Sequence, residues 1–378
     1  MNKKRMRLIS GILVLVALIF LFMPTYIQEA LIYWYPDISD TYIFKSDTVT
    51  ASDSCYQWMH ADNYNAYVLN EADDQYLDVY KTVSFLVIQD DHIVYEEYRD
   101  KWDENKLSNI FSATKSIVGL LAGIAHDEGF ISSLDDKVNK YLPEFADGDK
   151  LTVRNLLTMS SGLNWDEAYT SLFSKTTEAY YGDNIRELMM GLKVVEQPGL
   201  KFSYKSGDTQ LLSFVVEAAT GKTISEYATE KLWQPMNVCR HALWNLDRAG
   251  GDEKAYCCFN TTARDLAHLG RLVLNGGNWN GKQLISEEYI KEATSPATYL
   301  ENEFGDGPLD YYGFQIWIME YQGMKLPLFR GLDGQYLFMI PEKNAIVVRL
   351  GHKRSKVYER ERTTDIEGYL DIAFKMLR

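Results

Sequence analysis

The segment "NIFSATKSIVGLL", residues 109–121, sets a serine and a lysine three positions apart. On a helical turn, positions i and i+3 share a face, so the Lys115 amine can reach the Ser112 hydroxyl. A lysine that is desolvated, or that sits beside another cation, gives up its proton near neutral pH. It can then act as the base that makes a serine nucleophilic. A helix N-terminus adds N–H groups and positive potential where an oxyanion would form. The same residues also have a plainer reading, with Ser112 as a helix N-cap and Lys115 as a solvated side chain.

Further along, "GLKFSYKSGDTQLLSF" places Tyr204, Lys205 and Ser206 in a turn before a helix that is expected to start near Asp208. The Tyr204 phenol can pass a proton and the Ser206 hydroxyl can bind substrate, or the two can pack and cap. In "FRGLDGQYLFMIP", Gly331 and Gly334 flank Asp333 where a strand should begin. Glycine there lets backbone approach a ligand, and the N–H of Gln335 is a candidate oxyanion donor; a plain β-turn is the alternative. Asp166 and Glu167 read as a solvated pair after a turn, with a supporting acid as the other possibility. Tyr169, Tyr180 and Tyr181 either line a pocket for an aliphatic acyl group or simply pack.

Elements must hold these residues. From Lys81, "TVSFLVIQ" and "HIVYEEYR" are β-rich runs around Asp90 and Asp91, which is a hairpin signal. Residues 112–128 have helical spacing, with Gly129 expected at the C-terminal end. The middle of the chain, through "NIRELMMGLKV", "DTQLLSFVVEAATG", "TISEYATEKLW" and "TARDLAHLGRLVLNGG", reads as helical with loops. Strand patterns return after Asp310 in "YGFQIWIM", "LPLFRG", "QYLFMIP" and "NAIVVRLG", followed by a helix near 364–377. The expected fold is α+β, with one antiparallel sheet built from both chain ends, flanking helices and an inserted all-helical domain.

The ordered set of Ser-x-x-Lys at a helix start, Tyr-x-Ser before a helix and a glycine-rich strand start resembles the serine β-lactamase and penicillin-binding-protein superfamily. "LTVRNLLTMSSGLNW" and "ATGKTISEYATEKLWQPMNV" are similar to further segments of that superfamily, and the resemblance covers about residues 81–378. "NWDEAY" and "AYCCFNTTARDLAHLGRLVLNGGNWNGKQLI" most resemble the branch of 6-aminohexanoate-dimer hydrolases and related carboxylesterases. The resemblance implies a β-lactamase/transpeptidase-like fold, with Ser112 as the acylated nucleophile, Lys115 as its base and Tyr204 as proton shuttle. It also implies an oxyanion hole made by the N–H groups of Ser112 and Gln335, with Ser206, Asp333 and Gly334 contacting substrate, and no cofactor. Two positions depart from the pattern. Ser206 stands where asparagine is usual, and Leu332, Asp333 and Gly334 stand where Lys-Thr-Gly or His-x-Gly is usual. Asp333 would repel a substrate carboxylate, which disfavours penicillins and stem peptides unless Lys205 or Arg330 supplies the charge. An ester or amide without an adjacent carboxylate is the expected small-molecule or peptide-like substrate. The rival readings are a penicillin-binding-like peptidase or β-lactamase, and a silent binding protein of the same fold.

The N-terminus sets the compartment. Lys3, Lys4, Arg5 and Arg7 precede an uncharged run from Leu8 to Met23, and bulky residues fill the place of a signal-peptidase site. Residues 1–7 are read as a cytoplasmic basic segment and 8–27 as a signal anchor or signal peptide, with the uncleaved anchor favoured. Residues 28–80 are then an irregular extension and 81–378 the hydrolase domain. The catalytic part is expected to be exported to the cell envelope or periplasm and held to the membrane, or secreted if the segment is cleaved. The net charge is −14, and −18 once those four basic residues are set aside, which argues against binding nucleic acid or anionic lipid through bulk charge. The six histidines lack metal-ligand spacing, so no metal is expected. The four cysteines permit a disulfide, with Cys239 expected to pair with Cys257 or Cys258 by proximity in sequence.

Overall fold

A computed structural model describes residues 3–378. In chain order it begins with helix α1 (Lys3–Phe22), helix α2 (Thr25–Tyr33), strands β1 (Ser46–Val49) and β2 (Met59–His60) and helix α3 (Glu71–Val79). The hairpin β3 (Thr82–Gln89) and β4 (His92–Tyr98) follows, then β5 (Ser108–Asn109). Helices α4 (Thr114–Asp127), α5 (Val153–Leu157), α6 (Lys175–Tyr181), α7 (Ile185–Met190), α8 (Ser206–Thr220) and α9 (Ile224–Ala228) make up the middle. Strands β6 (Ala242–Asn245) and β7 (Phe259–Thr261), helix α10 (Ala263–Leu274), the small hairpin β8 (Asn278–Trp279) and β9 (Lys282–Gln283), and helix α11 (Glu287–Ala293) come next. The chain closes with β10 (Trp317–Tyr321), β11 (Met324–Gly331), β12 (Gln335–Ile340), β13 (Ala345–Gly351), the hairpin β14 (Tyr358–Glu359) and β15 (Arg362–Thr363), and helix α12 (Ile366–Phe374).

The main sheet has the order β10-β11-β12-β13-β3-β4-β2, so strands from both chain ends meet where β13 pairs antiparallel with β3. Every residue of β3, β12 and β13 is buried. Their apolar runs are nearly continuous because both faces are covered. Leu86, Ile88, Leu337 and Ile346 join the core under α4 and α10, while Phe85, Val87, Phe338 and Val347 join a second core against α12. The β3–β4 turn falls at Asp90 and Asp91, both with positive φ (49° and 62°), as a two-residue hairpin requires.

Three expectations change. The middle is not all-helical: β6 and β7 pair with each other and, with β1 and β5, form a second sheet of order β1-β6-β7-β5. These strands are only three or four residues long and adjoin charged turns, too short to give a periodic signal. Residues 28–80 are also no loose extension, because β1 pairs with β6 and β2 pairs with β4. The disulfides run Cys55–Cys239 and Cys257–Cys258 rather than from Cys239 to Cys257 or Cys258. Bonds from Ser52 to Val238 and from Tyr56 to Asn237 bring Cys55 to Cys239 across 184 positions, a proximity that sequence spacing cannot reveal.

Candidate active site

Ser112 lies in the 3-10 turn Phe111–Ala113 between β5 and α4. It is not the N-cap of α4: Ala113 holds that position and no side chain caps the helix. The turn is held from three sides. The Ile110 N–H donates to the Phe259 carbonyl (2.9 Å), and the Asn109 side-chain oxygen accepts from the Phe111 N–H (2.8 Å). Phe111 has φ 45°, a sparsely populated conformation for a bulky residue that persists only where its surroundings enforce it. On the third side, Gly331 at the end of β11 lies against the turn so closely that a Cβ there would stand 2.2 Å from the Ile110 carbonyl oxygen.

One turn into α4, the Lys115 amine lies 3.1 Å from Ser112 Oγ and donates to the Tyr256 carbonyl at 2.7 Å. It also sits 5.1 Å from the centre of the Tyr204 ring and 5.5 Å from that of Tyr256. Lys115 is 1% exposed. Burial drives its pKa down to about 8, against a smaller upward pull from Glu167. Burial moves Tyr204 the other way, well above the usual phenol range, and Glu167 adds to that rise, while the Ser112 hydroxyl and the Arg330 and Arg354 guanidiniums pull it back. Tyr204 is therefore held as a phenol at neutral pH.

Glu167 is the residue that sequence reasoning set aside. Its carboxylate accepts from Trp165 Nε1 (2.7 Å), the Tyr169 hydroxyl (2.6 Å), the Ser206 N–H (2.7 Å) and the Ser206 hydroxyl (2.7 Å). It thus sits at the N-terminus of α8, which begins at Ser206 rather than near Asp208. Ser206 is tied to Glu167 and does not present a free hydroxyl. Beneath it, the buried Asp208 carboxyl accepts from the Ser161 hydroxyl (2.6 Å), and burial raises its pKa to about 7.

The third segment differs from expectation. The Gln335 N–H donates to the Leu332 carbonyl within the turn, and the Gln335 side chain bonds to Leu332 and Gly351, so Gln335 does not reach the cleft. Asp333 (φ 56°) and Gly334 (φ 84°) also lie outside both cavities that meet at Ser112. Gly334 is needed for packing, since a Cβ would stand 2.2 Å from Arg349 Nη1. Leu332 takes their place, lining both cavities beside Ser112.

These cavities differ in character. One, of about 300 Å³, is walled by apolar and aromatic side chains, including Tyr169, Tyr180 and Tyr181. The other, of about 280 Å³, is polar and contains Tyr204, Arg330 and Arg354 along with Glu167, Glu303 and Glu361. Arg330 stacks 3.5 Å from the centre of the Trp317 ring and donates to the Glu361 carbonyl (2.6 Å); Arg354 donates to the Tyr358 hydroxyl (2.9 Å). Among the described residues neither guanidinium has an ion-pair partner within 4 Å, whereas Glu361 has Arg360 at 3.9 Å. Lys205 turns away, donating to the Leu163 carbonyl at 2.6 Å. No motif marked Arg354 or Asn109 in advance; the first is brought in by the fold, the second by a bond two residues along the chain.

A profile of the Beta-lactamase family matches residues 70–370. The chain belongs to the beta-lactamase family. Within that family it is similar to the 6-aminohexanoate-dimer hydrolase of Paenarthrobacter ureafaciens, 27% identical over 294 residues, covering 73% of this chain and 74% of that relative. It is also 25% identical over 311 residues to a "Putative D-alanyl-D-alanine carboxypeptidase" of Escherichia coli K12, covering 61% of this chain and 70% of that one. Among solved structures, "Putative 6-aminohexanoate-dimer hydrolase from Bacillus anthracis" superposes with a TM-score of 0.77 at 21% identity, covering 93% of this chain and 96% of that one. This beta-lactamase-family chain is thus a homologue of hydrolases and shares their α+β fold.

Proposed function

We propose that the protein is an exported, membrane-anchored serine hydrolase that cleaves an ester or amide through an acyl-enzyme on Ser112. The observation that carries this reading is the buried Lys115 amine 3.1 Å from Ser112 Oγ, with its pKa lowered to about 8. In its neutral form the amine keeps an N–H on the Tyr256 carbonyl and offers its lone pair to the Ser112 proton. Ser112 Oγ then bonds to the substrate carbonyl carbon. The bond to the leaving group breaks as the proton passes from Lys115 through Tyr204 to the departing oxygen or nitrogen. Water attacks the acyl-enzyme by the same route in reverse, regenerating the Ser112 hydroxyl. The oxyanion donors are assigned to the N–H groups of Ser112 and Leu332, in place of Gln335.

Anchoring rests on α1, from which a 19-residue stretch, Lys4–Phe22, has mean hydropathy 2.2 and no cover from the rest of the protein. The basic residues before it orient the body outward. Hydrolysis is supported by the relatives, whose names are those of a dimer hydrolase and a carboxypeptidase. Ser112→Ala should abolish hydrolysis of 4-nitrophenyl acetate and labelling by a fluorophosphonate probe. Full activity in that variant rejects the mechanism, and a folded wild-type chain that never labels favours a silent binding protein. The Arg330 and Arg354 guanidiniums beside Tyr204 favour one second reading, a peptidase whose leaving group carries a carboxylate. Labelling by a fluorescent penicillin that Ser112→Ala prevents would support it.

A further inference from the structure

The two cavities divide the substrate. Tyr204, the proton donor to the leaving group, lines only the polar cavity, so the leaving group belongs there and the acyl part belongs in the apolar one. No Asp, Glu, Lys, Arg or His lines that apolar cavity among the described residues. Several of its hydroxyls are engaged within the protein: Thr176 Oγ1 donates to the Asp166 carbonyl (2.8 Å), Thr177 Oγ1 to the Ser171 carbonyl (2.7 Å), Ser206 Oγ to Glu167 and the Tyr181 hydroxyl to the Trp34 carbonyl, while the Tyr180 and Tyr256 hydroxyls are buried without a hydrogen-bond partner among the described residues. An acyl group bearing an ammonium or a carboxylate would meet no opposite charge on this lining, at a cost an unsubstituted chain avoids. With each methylene taking roughly the ~30 Å³ of a water molecule, a space of about 300 Å³ holds a chain of about eight to ten carbons.

The position of the cavity agrees. Its outer wall is Ala30, Trp34 and Tyr35 from α2 and the residues just after it, and α2 starts three residues beyond the end of α1. Ile27 and Ala30 are buried, and the Tyr181 hydroxyl donates to the Trp34 carbonyl (3.0 Å), fixing that wall to α6. Around it Ile32 (63%), Trp34 (75%) and Phe173 (79%) are exposed, as side chains at a membrane interface are.

We infer that the acyl half of the substrate is an unsubstituted hydrocarbon chain of medium length, a fatty-acyl ester or amide, bound between Ser112 and α2. This rests on the serine-hydrolase reading above and narrows it to one substrate class. The test uses the full chain in detergent with 4-nitrophenyl esters from acetate to hexadecanoate. The expected kcat/KM rises by about 100-fold from acetate to the octanoate or decanoate and falls beyond. Ala30→Trp and Leu172→Trp, each filling the cavity from a different wall, should lower the decanoate-to-acetate ratio by about 10-fold or more, a ratio that loss of folded protein does not change. A flat or falling series in wild type, with hydrolysis still lost in Ser112→Ala, overturns the fatty-acyl inference and leaves the serine hydrolase standing. No ester hydrolysed and no fluorophosphonate labelling overturns both. Vesicles of didecanoyl phosphatidylglycerol separate the two sources of such chains. Release of decanoic acid from them assigns the site to bilayer lipids, and cleavage of the 4-nitrophenyl decanoate alone assigns it to dissolved acyl esters.

Discussion

At Lys115, two effects oppose each other: burial strips the amine of water and Glu167 attracts its proton, with burial the larger. kcat/KM should therefore rise with pH through about 8, as Lys115 deprotonates. In Glu167→Gln the attracting charge is gone and that limb should move to lower pH; a limb that stays put or moves up contradicts the assignment of Lys115 as base. The same residue weighs on stability. The folded chain releases the Lys115 proton near pH 8 and the unfolded chain near 10.5, so its contribution is least favourable below pH 8 and recovers as pH rises toward 10.5. Lys115→Met should therefore stabilise the fold at pH 7 by about 1–3 kcal/mol while abolishing turnover, measurable by denaturant titration. The juxtaposition of Ser112 and Lys115 was legible in the sequence because helical spacing places them on one face, and the Tyr204 ring lies 5.1 Å from the Lys115 amine. Glu167 was not, because its role depends on Ser206, 39 positions away. Gln335 was misassigned because only the turn geometry reveals that its N–H is already spent on Leu332.

At the scale of elements, the Ser112 turn is set by what presses on it. β11 reaches the Ile110 carbonyl only because residue 331 lacks a side chain. Gly331→Ala should push β11 away, costing about 1–3 kcal/mol in denaturant unfolding as overpacking usually does. It should also lower kcat by more than that modest loss of folded protein explains, because Leu332 moves from Ser112. Wild-type kcat in a folded Gly331→Ala protein would remove β11 from the site. The main sheet and the helices α4, α8 and α10 were readable from apolar runs and helical periodicity. The short strands β6 and β7 were not, since beyond pairing with each other each needs a partner far along the chain, β1 in one case and β5 in the other. The apolar cavity was legible only as three tyrosines whose roles stayed open; α2, which closes it, carried no motif.

Across the whole molecule, the N-terminal region is joined to the rest of the chain by pairing, packing and the Cys55–Cys239 bridge, which closes a loop spanning 184 positions. Cys55→Ser with Cys239→Ser should lower the unfolding free energy by about 2–4 kcal/mol relative to the oxidised protein. An equal stability in oxidised wild type and the double variant would show that the bridge adds nothing. Such a bridge suits an oxidising compartment, in keeping with the proposed export. The proposed chemistry, however, rests on one atom, Ser112 Oγ. Rapid-quench mass spectrometry of the full chain mixed with 4-nitrophenyl decanoate tests it most directly. A decanoyl adduct within residues 109–121, on Ser112, is expected to form and decay at rates compatible with turnover and to be absent in Ser112→Ala. Steady turnover without an adduct on Ser112, or with the adduct on another residue, would contradict it.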